Sequence, residues 1–420
     1  MFAFKTHREF ALQLDKEDDL KHFRDQFHIP KKKDGSDAVY LLGNSLGLEP
    51  KKTQEYVVQE LEDWKKLNVE DQLHGRNQWR NYHELVSDSL ARLLTAKPIE
   101  VIAMNSLTIN LHLMLVSFYR PTDTRYKILM EGGAFPADQY AVKSQLQLHG
   151  RDVNKALIEV NPEAGEYCID ENKLLETIEK HGHEIALILI GAVNFRTGQL
   201  FDIQKITEVG HRHGCMVGID AAHAIGNVEL QLHDWNVDFA VWCNYKYLNA
   251  GPGAIGGAFI HEKHVTDKNL MRLAGWWGHN KTTRFEMPAG FDPIPTAEGW
   301  QVSNPPILQL ACLRAALNIF DQVDQIKRQE KSKKLTAYLA FLLETHFSNQ
   351  LQIITPKDPK RGAQLSFRLL GASQDFVTNL LAHGYYCDFR PPHLIRATPV
   401  PLYNQFIDVF NFVEFLRNMA

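Results

Sequence analysis

From about residue 100 to 260 the chain alternates short apolar runs with longer amphipathic stretches. The strand-like runs are Tyr126–Met130, Ile185–Val193, Cys215–Ile219 and Phe239–Trp242. The helical patterns that separate them cover Leu107–Phe118, Asp138–Leu148, Glu171–His181 and Ile203–His213. Alternation of this kind predicts an α/β fold, a large and mostly parallel sheet with helices on both faces. In such sheets ligands gather at the carboxyl ends of the strands.

Ahead of this block, residues 1–50 mix charged helical stretches with Leu41-Leu-Gly-Asn-Ser-Leu-Gly-Leu-Glu-Pro50. The two glycines and the proline mark a tight, extended lead-in to a helix over 51–67. A second helix is predicted for Tyr82–Leu94. After Asn304-Pro-Pro306 the character changes. A long helical segment, about 307–348, carries the charged stretch Gln325–Lys334. Short strands are predicted at Leu351–Ile354, Gln364–Leu369 and Tyr386–Arg390, with helices at Gln374–His383 and Gln405–Asn418. The expected division is a lead-in (1–50) that packs on the small domain, a large cofactor-binding domain (51–310) and a small α+β domain (311–420).

Composition narrows the function classes. The 46 basic and 50 acidic residues give a formal charge of −4, without the basic excess of a nucleic-acid or anionic-membrane binder. The longest apolar run, Ile185–Val193, is about half of the ~18 residues a membrane-spanning helix needs. The amino terminus reaches charge too early for a secretory signal. Five scattered cysteines with no CxxC pair are expected to be free thiols of a reducing cytoplasm, not metal ligands.

The chemistry is concentrated in two segments. In Val217-Gly-Ile-Asp220-Ala-Ala-His223 an acid ends an apolar run and a histidine follows. In Trp242-Cys-Asn-Tyr245-Lys246 a lysine follows a second run, 26 residues after the acid. A pyridoxal-phosphate site needs this pair: a lysine amine to bond the cofactor, and a carboxylate to keep the pyridine nitrogen protonated so that the ring accepts electrons. His223 is placed to contact the ring. Each residue also has a plain reading, since an Asp at a strand end caps turns and a Lys after a strand is usually solvated. Thr108 at a helix start offers donors for a phosphate but is equally an ordinary cap. Phe135 in its Gly/Pro turn can stack on a ring or simply pack. Gly251-Pro-Gly253-Ala-Ile-Gly256 matches a dinucleotide fingerprint literally, yet the apolar Gly257–His261 that follows predicts a strand where the fingerprint requires a helix.

Further segments complete a family pattern. They are Leu41-Leu-Gly-Asn-Ser-Leu-Gly, Met104–Leu113, Ala134-Phe-Pro-Ala-Asp138, Asp220–Leu230, Asn244–Gly251, Gly275-Trp-Trp-Gly-His279, Ser303–Pro306 and Ile395–Asn404. With them the sequence resembles the kynureninases, enzymes of tryptophan catabolism, along essentially its whole length. The resemblance implies a fold-type-I, transferase-like architecture with pyridoxal 5′-phosphate as cofactor. It implies that Lys246 carries the cofactor as a Schiff base and takes the Cα proton. Asp220 then pairs with the pyridinium, His223 lies near the ring, and Phe135 stacks on it with Asp138 close by. Leu107, Thr108, Tyr245 and Trp276 are expected to hold the cofactor, chiefly its phosphate, and Asn304 to line the same site. Tyr245 is also the expected proton donor during breakdown, and Arg396 the clamp on the substrate α-carboxylate.

The reaction so implied is hydrolysis of the Cβ–Cγ bond of kynurenine or 3-hydroxykynurenine. It gives L-alanine and anthranilate or 3-hydroxyanthranilate, on a route toward NAD. The expected assembly is a cytoplasmic homodimer with shared active sites.

One segment departs from the pattern. Between Trp64 and Trp79 the family usually carries Gly-His and then a basic-Pro-Trp stretch. Here Asp71-Gln72 stand at the Gly-His positions, and Gln78 replaces the proline. The missing histidine is expected to face the substrate's aryl ring; Gln72 can hydrogen-bond there but offers no imidazole acid. Two consequences stay open: a retuned aryl preference, or a loosened loop with weak or no activity. Another fold-type-I activity, such as an aminotransferase or a desulfurase, is the alternative enzyme class. A desulfurase needs a mobile cysteine in a small-residue loop, and none of the five sits in one.

Overall fold

The computed structural model describes residues 3–419. Strand β1 (Val39–Tyr40) belongs to the lead-in. The large sheet contains β2 (Val101–Ala103), β3 (Lys127–Glu131), β4 (Leu157–Val160), β5 (Ile185–Gly191), β6 (Met216–Asp220), β7 (Phe239–Cys243) and β8 (Gly256–Ile260). The smaller sheet contains β9 (Leu351–Ile353), β10 (Leu365–Leu369), β12 (Asp388–Arg390) and β13 (Leu394–Ala397), while β11 (Tyr385–Tyr386) pairs in parallel with β1.

The seven strands of the large sheet lie in the order β2-β8-β7-β6-β5-β3-β4. β4, β3, β5, β6 and β7 run parallel, and β8 is antiparallel to both β7 and β2. The predicted α/β architecture is therefore present. β5 shows why the sheet is covered on both sides. Ile188 and Ile190 enter one apolar cluster, Leu187 and Leu189 another, and all four are buried. The covering helices start where acids cap them. Asp170 accepts the Asn172 amide at 2.9 Å ahead of helix Glu171–His181, and Asp202 accepts the Lys205 amide at 2.9 Å ahead of Ile203–Arg212. Each then buries one stripe, Leu174 and Ile178 in the first, Ile203, Ile206 and Val209 in the second.

Several elements differ from expectation. The segment 307–348 is two helices, Ile307–Phe320 and Gln325–Phe347. Asp324 makes the break by accepting the Ile326 and Lys327 amides at 2.8 and 3.2 Å, a new cap inside a continuous apolar pattern. Leu310, Leu313 and Leu317 pack with the large sheet, whereas Leu335, Leu339 and Leu342 pack with the small one. The helix expected over Tyr82–Leu94 begins as a 3₁₀ segment, Trp79–Val86, kinked at Asn81, before the α-helix Ser87–Leu94. Strands β2, β4 and β13 appear where no strand was predicted.

The lead-in contributes to both bodies. Ala11, Leu14, Val39 and Leu41 pack with the small sheet's cluster; Leu20, Phe23, Phe27 and Leu48 pack with the large one. Asp15, at the end of helix Arg8–Lys16, accepts the Phe406 and Ile407 amides at 2.6 and 3.0 Å, at the start of helix Phe406–Met419. Its carboxylate thereby satisfies helix-terminal donors from a distant part of the chain.

Candidate active site

β3 is hydrogen-bonded to β4 on one side and β5 on the other, so the direction of strand succession reverses there. A crevice opens at that point, beyond the carboxyl ends of the parallel strands. Its lining includes Leu107, Thr108, Phe135, Asp138, Asp220, His223, Tyr245 and Lys246. Eight of the residues singled out in the sequence thus converge from four separate stretches of chain.

Each group is held by its local fold. Asp220 is the last residue of β6, and its Oδ1 accepts the Ala222 amide at 2.7 Å. Lys246 follows β7 in a turn fixed by neighbouring polar contacts. Asn244 donates to the Ile255 carbonyl at 2.7 Å and accepts from Trp242 Nε1 at 2.8 Å, while the Asn249 amide donates to the Lys246 carbonyl at 3.0 Å. The Leu41–Gly47 segment closes on this turn, with the Gly47 amide donating to the Tyr245 carbonyl at 2.8 Å. A Cβ on Gly47 would lie 2.3 Å from the Lys246 carbonyl oxygen, so the motif needs glycine for this close approach. Lys246 Nζ stands 5.9 Å from the ring centres of both Phe135 and Tyr245. Phe135 is 43% exposed and meets Phe195 edge-on at 5.2 Å, which leaves a ring face toward the crevice available. Leu107 and Thr108 open helix Leu107–Phe118, whose first amides and dipole suit a phosphate.

Two buried polar atoms in the crevice have no hydrogen-bond partner, His223 Nδ1 and Asp138 Oδ1. Burial, then the Lys246, Arg396 and Arg390 cations, holds the His223 imidazole well below its ordinary pKa, so it is neutral. Burial pushes the Asp138 carboxyl well up, and the hydrogen-bonded Asp220 carboxylate adds to the effect. Burial likewise raises the Tyr245 hydroxyl above the usual phenol range. A lysine amine, a rigid strand-end acid, an aromatic face, a helix start and unsatisfied buried polar atoms form a donor set that fits pyridoxal phosphate.

Four other singled-out residues lie outside this crevice. Arg396, on β13, is buried, and its guanidinium is held by Asp388 through two contacts, one of them 2.7 Å, and by the Phe195 carbonyl. Phe195 lines the crevice, so Arg396 stands directly behind its wall. Trp276 is 44% exposed and donates to the Arg284 carbonyl at 3.1 Å. It lines a separate surface cavity with His279, Met287 and Phe291. Asn304 is exposed on a nearby loop. Gln72 sits half-buried in the one-turn helix Asp71–His74. Its neighbour Asp71 is fully buried without a partner for either carboxylate oxygen, and burial together with Asp63 and Glu60 raises its pKa.

The structure also adds a residue that sequence reading passed over. Glu131, the last residue of β3, is buried in the crevice wall. In sequence it is a lone acid before two glycines, which reads as an ordinary strand end. The signal that sets it apart is its neighbour across the sheet, which only the strand order supplies.

Comparison with known proteins bears on the whole chain. A family model described as the kynureninase C-terminal domain matches residues 329–416, and one described as the DegT/DnrJ/EryC1/StrS aminotransferase family matches residues 76–233. A kynureninase of Myxococcus xanthus (strain DK1622) is 54% identical over 420 residues, covering 100% of this chain and 99% of that one. A kynureninase of Koribacter versatilis (strain Ellin345) is 51% identical, with 99% of each chain covered. Among solved structures, C-DES with glycine covalently linked to its PLP cofactor superposes with TM-score 0.78 at 17% identity, covering 94% of this chain and 99% of that one. The cysteine desulfurase CsdA of Escherichia coli gives TM-score 0.77 at 18% identity, covering 94% and 97%. These structural likenesses show the fold, that of fold-type-I pyridoxal-phosphate enzymes.

Proposed function

The chain belongs to the kynureninase family, and on that premise we propose that Lys246, Asp220 and Tyr245 carry out its pyridoxal-phosphate-dependent hydrolysis of kynurenine-type substrates. The observation that supports these assignments is the convergence of eight singled-out residues on one strand-end crevice. The crevice's own partners are Phe135 for the ring face, His223 for the ring edge, and Leu107 and Thr108 for the phosphate.

When bound, the cofactor supplies an electron sink for the carbanion formed at the substrate's Cα. The residues do the rest. Asp220 keeps the proton on the ring nitrogen, and Asp138 beside it supports that carboxylate. Lys246 Nζ is the base that takes the proton from Cα and holds it. Water adds to the aryl ketone, the Cβ–Cγ bond of the hydrate breaks with loss of one hydroxyl proton as the aryl carboxylic acid forms, and the Tyr245 hydroxyl, kept protonated by its burial, gives its proton to Cβ. Arg396 receives the substrate carboxylate through its planar fork. That fork is occupied by Asp388, so the substrate carboxylate must compete with the Asp388 carboxylate for it.

The same proposal makes the enzyme a homodimer. Trp276 and Asn304 are exposed on a single chain and reach the cofactor only as part of a partner's site. Around Trp276, Leu273, Phe285 and Met287 are 50%, 44% and 74% exposed, an apolar patch suited to a second copy. Gln72 is assigned to the aryl end of the substrate, where it tunes the choice between kynurenine and its 3-hydroxy form. A cytoplasmic setting, and supply of a route toward NAD, belong to the same reading. All five cysteines are free, and no described helix is long and apolar enough to cross a membrane.

The test uses purified protein, kynurenine and the fluorescence of anthranilate. Anthranilate release with a visible cofactor band, both lost in Lys246→Ala, is the expected result. Transamination of an amino acid without anthranilate would overturn the assignment.

A further inference from the structure

Glu131 ends β3 and Gly191 ends β5, on either side of the point where strand order reverses. The Gly191 amide donates to both Glu131 carboxyl oxygens, at 3.1 and 3.2 Å. A Cβ on Gly191 would meet Glu131 Oε1 at 2.8 Å, so the glycine leaves room for the carboxyl to lie over the strand. Gly191 is in turn the register partner of Asp220 on β6. Glu131 is 3% exposed and forms part of the crevice wall.

Three carboxyls therefore gather at the ring-nitrogen end of the crevice, one each from β3, β6 and helix Pro136–Leu148. Facing them are the Gly191 amide from β5, the neutral His223 after β6, and Lys246 after β7, whose charge acts on Asp138. Among the described residues, no lysine, arginine or histidine pairs with Glu131. Packing like charges without counter-ions is costly, and a buried acid with no cation paired to it is favoured in its protonated form.

Resting on the assignment of Asp220 to the ring nitrogen, we propose that Glu131 is a positioning residue that holds a proton in the working enzyme. Asp138 is protonated for the same reason, so neither acid competes with Asp220 for the cofactor ring. Burial chiefly, opposed by the backbone amides that reach the carboxyl and reinforced by Asp220, brings the Glu131 pKa to about 8. Neutral Glu131 still accepts the Gly191 amide, so it fixes the end of β5 against β6 without competing for the ring's charge.

The sign of the pH dependence follows. A carboxyl whose pKa is raised on folding binds its proton more tightly in the folded state. Its contribution to stability is whole below the ordinary carboxylate range and is lost as pH climbs through about 8. The same ionisation places a second negative charge beside Asp220 and alters the absorption of the bound cofactor.

Glu131→Gln and Glu131→Ala holoenzymes, compared with wild type, test this without substrate. Wild type is expected to show a change in its visible band as pH passes about 8, and a melting midpoint that falls as pH rises from the ordinary carboxylate range to about 8. Glu131→Gln is expected to lose the spectral change and flatten the melting profile while holding its cofactor through gel filtration. Glu131→Ala leaves the Gly191 amide unpaired and is expected to release cofactor about tenfold faster. Loss of cofactor from Glu131→Gln to the extent seen in Glu131→Ala would show that the charged form is required, and would overturn the proposal. So would a Glu131→Gln spectrum and melting profile that follow wild type at every pH. These readouts are separate from catalysis. If they come out as expected but no anthranilate forms, only the substrate assignment fails; a wild-type chain that takes up no cofactor overturns both.

Discussion

The floor of the crevice and its rim are built in different ways. Asp220, Glu131 and Gly191 are the last residues of neighbouring strands, and Lys246 follows a turn pinned by Asn244 and Asn249. Trp276, Asn304 and Gln72 stand instead on loops and a one-turn helix, exposed or half-buried, away from the cavity. Strand ends fix a side chain more rigidly than loops do, and reaction at a cofactor rewards that rigidity. On the proposed assignments, the difference separates the electron-sink chemistry, built from one chain's strand ends, from closure and choice of substrate, assigned to loops and to a second copy.

The largest test of this division strikes the floor. Asp220→Ala is expected to lower kcat by about 10³-fold or more, because it removes the acid assigned to hold the ring proton. Cofactor retained alongside near-normal kcat in stopped assays would place the sink elsewhere. A second test strikes the rim. Trp276→Ala is expected to cost roughly tenfold in cofactor affinity, since one stacking and hydrogen-bonding side chain is removed. Co-expression with Lys246→Ala then asks which chain supplies Trp276. If it acts across the interface, each mixed dimer recovers one site that has Lys246 and wild-type cofactor affinity, roughly a quarter of all sites in the random mixture. No recovery would return Trp276 to its own chain's site. The smallest effect belongs to the aryl end. Gln72→His is expected to change the ratio of kcat/KM for kynurenine and 3-hydroxykynurenine by about threefold to tenfold, the scale of a single polar contact. An unchanged ratio would remove that loop from substrate choice.

How much of this was legible in the sequence depends on how local each signal was. Helices Leu107–Phe118 and Glu171–His181 appear where their apolar spacing puts them, and β5 follows its unbroken run of apolar residues. β2 has three residues and β4 four, with Glu159 on an edge strand, too little pattern to register. The break at Asp324 was missed because the apolar spacing continues through it, and one side-chain oxygen decides it. Asp220 and Lys246 were legible because each follows an apolar run and their chemistry is complementary. Glu131 was not, because its meaning comes from Gly191 and Asp220, which lie 60 and 89 residues further along the chain and meet it only through strand order. The family pattern located Arg396, but not the Asp388 partner that already fills its fork.

The Asp15 cap on helix Phe406–Met419 joins groups 391 residues apart in the chain. During synthesis at ordinary speeds the first of them waits about 20 to 80 s for the second to leave the ribosome. For that interval the apolar side of helix Arg8–Lys16, with Ala11 and Leu14, has no finished surface to lie against. The small body is thus the last part of the nascent polypeptide to be sealed, and the first place where a stalled or shortened translation product would be recognised as incomplete.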